Sequence, residues 1–339
     1  MRRYYSEQAV LQARGVALTR GRLLPGSAPR AWRDPSASRH RLRAAAGATN
    51  NACTMVAPGS VRARHAGLPA PLAPLAVLLG VAAMRATVPA TMGLGLGLRP
   101  TLVLAELLLV VPGLALLALV RAPVAEALGL RALRGRAAAL CLVAGATLWT
   151  ASLGLFALQY LVWPPPEGYI EAFRRLHAAL RPTSVADALV SVAAIAVVPA
   201  LCEEALFRGI VLGALRPAAG PWLAVAVQAF LFALIHLDAT AGGPPVTYRV
   251  PFTFAVGLAL GALRLRTGSL AGPALAHAAL NTITFLVVLF SGDPARDTDP
   301  GPLLGLSLLA GGSVATALVL RALGRLALAP RIDSPAPAP

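Results

Sequence analysis

Three short stretches of this sequence hold side chains whose types and spacing could do chemistry. They are Glu203, Glu204 and Arg208 in "VVPALCEEALFRGIVLGAL" (197–215), Phe232 and His236 in "FALIH", and His277 and Asn281 in "HAALN". Carboxylates and imidazoles are the groups that activate water by general acid–base catalysis. Imidazole and amide N–H groups stabilise developing negative charge. Together they are what peptide hydrolysis requires. Glu203, His236 and His277 also make a His2Glu set with an open fourth position, the ligand pattern of catalytic zinc, and Glu204 would then be the base.

The surroundings make these residues conspicuous. An ionised side chain near a bilayer centre costs about 3 kcal/mol on insertion scales, so Glu203, Glu204 and Arg208 would cost roughly 8–10 kcal/mol if unpaired and facing lipid. Arg208 follows Glu204 by four residues, so the two share a helix face and can pair. Glu203 is rotated by about 100° from Glu204, which frees it to point elsewhere. With residues 217–220 as a turn, Glu203 and His236 lie roughly 21 and 24 Å from it at 1.5 Å per residue, a matching depth on antiparallel helices. His277 lies roughly 14 Å past Gly268. The offset closes if the turn protrudes from the membrane, so the counting permits one shared site. Each residue also has a structural reading: histidine and asparagine as interhelical hydrogen-bonding groups, Glu204–Arg208 as a structural ion pair. Glu106 stands alone and takes no role, and Arg85 and Asp187, near segment ends, can snorkel.

The elements that must position these groups follow from composition. The 339 residues are 57% hydrophobic and 13% charged, with a mean hydropathy of +0.70. A soluble domain carries about 25% charged residues. The predicted fold class is therefore all-α, a polytopic transmembrane helix bundle of about eight spans with a disordered basic N-terminal tail. The apolar segments are 71–94, 101–120, 137–163, 185–215, 221–237, 250–264, 269–290 and 302–321. A polar connector at 164–182 reads as an amphipathic interfacial helix. Four regions result: a tail over 1–68, membrane spans with the connector over 69–182, a catalytic membrane core over 183–292, and a last span with a disordered tail over 293–339.

The net charge is +16, and all 30 basic residues are arginine. The Arg, Ala, Pro and Gly bias reads as a GC-rich genome, hence a bacterial inner membrane. Much of the charge lies in the tail and in short loops, where it acts as a topology signal, so nucleic acid is not expected as a partner. Arginines after spans two, four and six and at the C-terminus, against Asp293, Asp297 and Asp299 in the seventh-to-eighth loop, place both termini in the cytoplasm. Arg174, Arg175 and Arg181 in the third-to-fourth loop fit less well. In the tail, Glu7 and Asp34 face twelve arginines. It reads as disordered, or as upstream of a true start at Met55, rather than as a targeting peptide. Cys53, Cys141 and Cys202 show no CxxC spacing, which argues against a disulfide framework or a cysteine zinc site. Cys202 reads as a packing residue.

The motifs EExxxR (203–208), FxxxH (232–236) and HxxxN (277–281) resemble those of the CAAX-protease and bacteriocin-processing family, the type II CAAX prenyl endopeptidases among them. The run "LGALRLRTGSLAGPALAHAALN" (260–281) is similar to the same family's third motif region. The resemblance covers about 185–290, and no catalytic motif position departs from it. It implies an intramembrane endopeptidase in which Glu203 is the base that activates water and His236 holds that water. His277 and Asn281 would stabilise the oxyanion, and Arg208 would pair with Glu204 and fix the helix, with Phe232 in support. No cofactor is implied by this glutamate mechanism; zinc is implied by the metal alternative. The implied partners are the lipid bilayer and a membrane-bound or precursor protein: a prenylated C-terminus, a bacteriocin or peptide precursor, or a C-terminal sorting tail. An ion-translocating protein and a non-catalytic membrane adaptor are the other classes compatible with intramembrane charges. The enzymatic reading requires the Glu203 carboxylate to lie within a bridging water's reach of an imidazole.

Overall fold

The computed structural model describes residues 67–237, 247–290 and 301–328. The tail expectations, including Met55 and Cys53, lie outside the described residues, as do the acidic seventh-to-eighth loop and the C-terminal Pro/Ala run. Among the described residues every regular element is a helix. A 3-10 turn, Ala70–Leu72, leads into α1 (Ala73–Gly93), followed by α2 (Leu98–Leu119), the short α3 (Val124–Leu128) and α4 (Gly135–Val162). Next come α5 (Glu167–Ala179) and α6 (Val185–Ala219), a 35-residue helix. Then follow α7 (Pro221–Leu234), α8 (Val250–Thr267), α9 (Ala271–Phe290) and α10 (Pro302–Leu328).

Seven of these helices are long and apolar enough to cross a membrane, and α7 is a shorter apolar helix of 14 residues. The eight apolar segments read from the sequence therefore all appear as helices. The fifth departs in length, because α7 ends at Leu234 and leaves His236 in the following turn. The expected connector helix is α5, which carries charged and aromatic residues side by side. Apolar side chains such as Leu78, Leu189, Phe230 and Leu318 face outward, an arrangement suited to lipid rather than water.

The residues 217–220 do not form a four-residue turn. Instead α6 continues through Pro217 to Ala219, and Gly220 alone makes the corner into α7. Within α6, Ser184 caps the start by accepting a hydrogen bond from the Asp187 amide at 3.1 Å. Two π-helical segments, Ala193–Val197 and Ala205–Val211, interrupt the helix. The first lies just before Pro199, whose missing N–H breaks the regular ladder. The second contains Arg208, and such widened turns recur at functional sites.

Two apolar clusters flank the middle of the bundle. In one, Leu206, Phe207 and Ile210 of α6 pack with Leu109 and Leu117 of α2 and Ala76 of α1. In the other, Leu148 of α4, Val256, Leu260 and Leu263 of α8, Ala276 of α9 and Val319 of α10 pack together. Between membrane helices, close packing rather than water exclusion drives association. Small residues provide it here. The backbone of Gly145 in α4 lies against the Ala276 carbonyl of α9, and Gly154 lies against the backbone of Gly305 and Leu309 in α10. The Gly145 contact fixes α9 next to His277.

Arg85 and Asp187 do not snorkel. Asp187 forms an ion pair with Arg99 at 3.0 Å, and Arg85 donates to the Leu237 carbonyl at 2.9 Å. Both charges found intramolecular partners, because α2 brings the Arg99 guanidinium to Asp187 and the turn after α7 brings the Leu237 carbonyl to Arg85. Gly154→Val would drive a branched side chain into the α10 backbone. It should destabilise the protein by about 1–3 kcal/mol, read as a lowered midpoint of thermal unfolding in detergent.

Candidate active site

The site is built where α6, α7, α8 and α9 meet. Its residues are deeply buried: Glu204 is 0% exposed, Arg208 1%, His277 5% and Glu203 8%. Arg208 Nη1 donates to Glu204 Oε1 at 2.7 Å, so the pair expected from the four-residue spacing forms. Arg208 Nη2 donates to the Gly257 carbonyl of α8 at 3.2 Å, and its guanidinium lies over the Phe232 ring, 4.4 Å from the centroid. One side chain on α6 thus ties down α7 and α8.

His277 stands between the two glutamates. Its Nδ1 is 2.9 Å from Glu204 Oε1, and its Nε2 is 3.7 Å from Glu203 Oε2. The first is a hydrogen bond; the second is too long for one and short enough for a single water to touch both atoms. Glu203 and Glu204 diverge as neighbours on a helix must, and His277 spans the divergence.

His236 is held differently from the expectation of a plain helical face. It lies two residues beyond the end of α7, in a turn closed by its own amide donating to the Ala233 carbonyl at 3.1 Å. Its Nδ1 is 2.8 Å from the Phe232 carbonyl, one of the carbonyls a helix end leaves without an intrahelical partner. That bond fixes the ring and makes Nε2 the nitrogen available for other contacts. Phe232 lies edge-on to both imidazoles, 4.8 Å from His236 and 5.9 Å from His277 between ring centroids. The aromatic position of FxxxH is therefore the spacer that holds the two histidines. Asn281 follows His277 by one turn on α9, is half-buried, and has no hydrogen-bond partner among the described residues.

Three contributors were not singled out from the sequence. Glu106, assigned no role there, projects from α2 toward α6 and acts electrostatically on Glu203 and Cys202. Its Oε2 is buried without a hydrogen-bond partner among the described residues. Gln228, fully buried on α7, donates to the same Gly257 carbonyl at 3.0 Å. Arg249, just before α8, acts electrostatically on Glu203 and His236. None of the three belongs to a recognisable spacing, and only an intramembrane charge, which Glu106 is, could have pointed to one of them.

Among the described residues no three His, Cys, Asp or Glu side chains converge closely enough to hold a metal ion. Of the His2Glu set of Glu203, His236 and His277, His277 has its Nδ1 engaged by Glu204, which leaves Nε2 as the nitrogen facing the Glu203 side. Cys141 and Cys202 are free and buried among apolar side chains. An apolar cavity of about 220 Å³ runs along α9 beside the site, lined by Leu280 and Thr284 together with Trp149, Phe156, Tyr169 and Phe173 of α4 and α5. Because Glu204 has no other cation at hydrogen-bond distance, Arg208→Met should leave an uncompensated buried carboxylate. Removing one partner of such a pair costs about 3–5 kcal/mol, to be checked by chemical or thermal unfolding beside the Glu204→Gln, Arg208→Met double variant, which should recover part of the loss.

Comparison with known proteins gives one match. Residues 185–283 fit the family model described as type II CAAX prenyl endopeptidase Rce1-like. No curated protein and no solved structure matches the chain. The matched segment begins with the first residue of α6 and runs past Asn281, so it contains all three motifs and both glutamates. The segment from 185 to 283, with its paired glutamates on one helix, is thus similar to the Rce1-like type II CAAX prenyl endopeptidases.

Proposed function

We propose that this integral membrane protein is an intramembrane endopeptidase, with its catalytic core in residues 183–292, that hydrolyses peptide bonds of membrane-associated or precursor proteins by a glutamate-activated water. The observation that carries the reading is the placement of Glu203 Oε2 3.7 Å from His277 Nε2 inside the bundle, where a water can touch both. Glu204 is engaged through Oε1 by both Arg208 and His277, so it serves to orient. Glu203 accepts no hydrogen bond among the described residues and is the carboxylate left for chemistry. Buried polar atoms without partners, Glu106 Oε2, Glu204 Oε2 and Gln228 Oε1, mark the same region as one with hydrogen-bonding capacity to spare.

In this mechanism Glu203 takes a proton from water while the water oxygen bonds to the scissile carbonyl carbon. His236, fixed through its Nδ1, holds the water with Nε2. The carbonyl oxygen becomes an oxyanion that His277 and Asn281 stabilise by donation. The C–N bond then breaks, and Glu203 returns the proton to the departing amine. The apolar cavity beside Leu280 and Thr284 supports binding of an apolar portion of the substrate next to the reacting bond.

Glu203→Gln keeps the side-chain shape and removes the base. Loss of a general base lowers turnover by about 10²–10⁴-fold. Comparison of N-terminal peptides of membrane proteins between wild-type and Glu203→Gln cells should show products that vanish in the variant; identical peptide sets would overturn the protease reading. Activity of the purified protein that persists after exhaustive chelation, with no stoichiometric metal bound, is expected for the glutamate mechanism. Loss on chelation that zinc restores would establish the His2Glu mechanism in its place.

A further inference from the structure

A second, larger cavity of about 630 Å³ lies at the end of the bundle where the ends of α6 and α8, the short α3 with the loop that follows it, and the lead into α1 come together. No residue of the candidate active site lines it: His277 lies within α9, beyond the α8–α9 turn that Gly268 opens. Three arginines line it, Arg131, Arg216 and Arg264, and the lining holds one acid, Glu126. Arg131 and Arg216 each act on the Arg264 guanidinium as like charges. Like charges are held together in a folded protein at an electrostatic cost, and a bound anion relieves it.

The arrangement is built rather than incidental. Gly129 adopts φ 68°, a conformation other residues rarely take, and a Cβ there would overlap the Arg264 guanidinium. Arg264 Nη2 donates to the Leu128 carbonyl at 3.3 Å, while its Nε is buried with no partner. The loop that carries Arg131 is joined to the α8–α9 turn twice: the Leu270 amide donates to the Gly129 carbonyl at 3.0 Å, and the Ser269 hydroxyl donates to the Arg131 carbonyl. The "RTGSL" run thus fastens an arginine-bearing loop in place. Arg131 and Arg216 are exposed at helix ends, the level at which lipid headgroups lie.

We infer that this cavity binds a phosphate group through Arg131, Arg216 and Arg264, supplied by an anionic lipid headgroup or by a soluble phosphate. Guanidinium pairs bidentately with phosphate oxygens, and the cavity volume falls in the range of small-molecule sites. Anionic lipid attracts basic residues at the interface, and soluble phosphate would enter from the aqueous side.

The test titrates the full-length protein in a neutral detergent with three probes at constant ionic strength set by sodium chloride: inorganic phosphate, dihexanoyl phosphatidylglycerol and dihexanoyl phosphatidylcholine. The midpoint of thermal unfolding is the readout. Wild type should be stabilised by phosphatidylglycerol, by inorganic phosphate or by both, and more weakly by the zwitterionic lipid. A response to phosphatidylglycerol alone identifies the lipid as the source, and a response to inorganic phosphate alone identifies the solute. The Arg131→Gln, Arg216→Gln variant, which leaves the Arg264–Leu128 bond intact, should need at least about tenfold more probe for half the shift, since hydrogen bonds to charged groups are each strong. The Arg321→Gln, Arg325→Gln variant removes two charges from α10, outside the cavity lining, and should respond as wild type. The inference fails if no probe stabilises the wild type, if phosphatidylcholine matches phosphatidylglycerol with inorganic phosphate inert, or if the two double variants behave alike.

Discussion

A guanidinium and a carboxylate that meet 2.7 Å apart, with neither side chain exposed, set the terms for the rest of this molecule. In a low-dielectric interior such charges persist only when each is paired and its remaining hydrogen-bonding capacity is largely met. Arg208 meets the requirement by using three helices. One nitrogen serves Glu204 on its own helix, another serves a carbonyl on α8, and the flat face of the group rests on Phe232 of α7. Glu204 recruits the fourth helix by accepting from His277. The convergence of α6, α7, α8 and α9 is thus tied to the neutralisation of one ion pair.

That convergence produces the asymmetry on which the chemistry would depend. Two adjacent glutamates leave an α-helix about 100° apart. One turns inward and is consumed by the ion pair and the imidazole. The other is left beside the opposite nitrogen of the same ring, held near it without being bonded to it. A paired carboxylate and one without an ion-pair arginine thus arise from consecutive residues because their environments differ. The widened helical turn at Ala205–Val211 lies just where the helix must carry both.

The spans, their order and the Glu204–Arg208 pair were legible in the sequence because they rest on local quantities: the length of apolar runs and a spacing of four. The counting missed that α7 stops at Leu234, since an apolar run does not reveal where its last turn tightens. It also missed Glu106, Gln228 and Arg249. These reach the site from α2, α7 and the start of α8 through helix–helix docking, and no periodicity within one segment carries that information. Arg85 and Asp187 show the same limit, since a charge near a span end reads alike whether it reaches water or a partner on another helix.

What the sequence determined by itself was an apolar helical bundle with ionisable groups on three of its spans, because hydropathy and residue type are properties of single segments. Tertiary structure alone decided which nitrogen of His277 faces which carboxylate, and which arginines share a cavity. Those outcomes depend on the rotation and depth of each helix against its neighbours. Close backbone contacts such as Gly145 on Ala276 set them, over separations of more than a hundred residues.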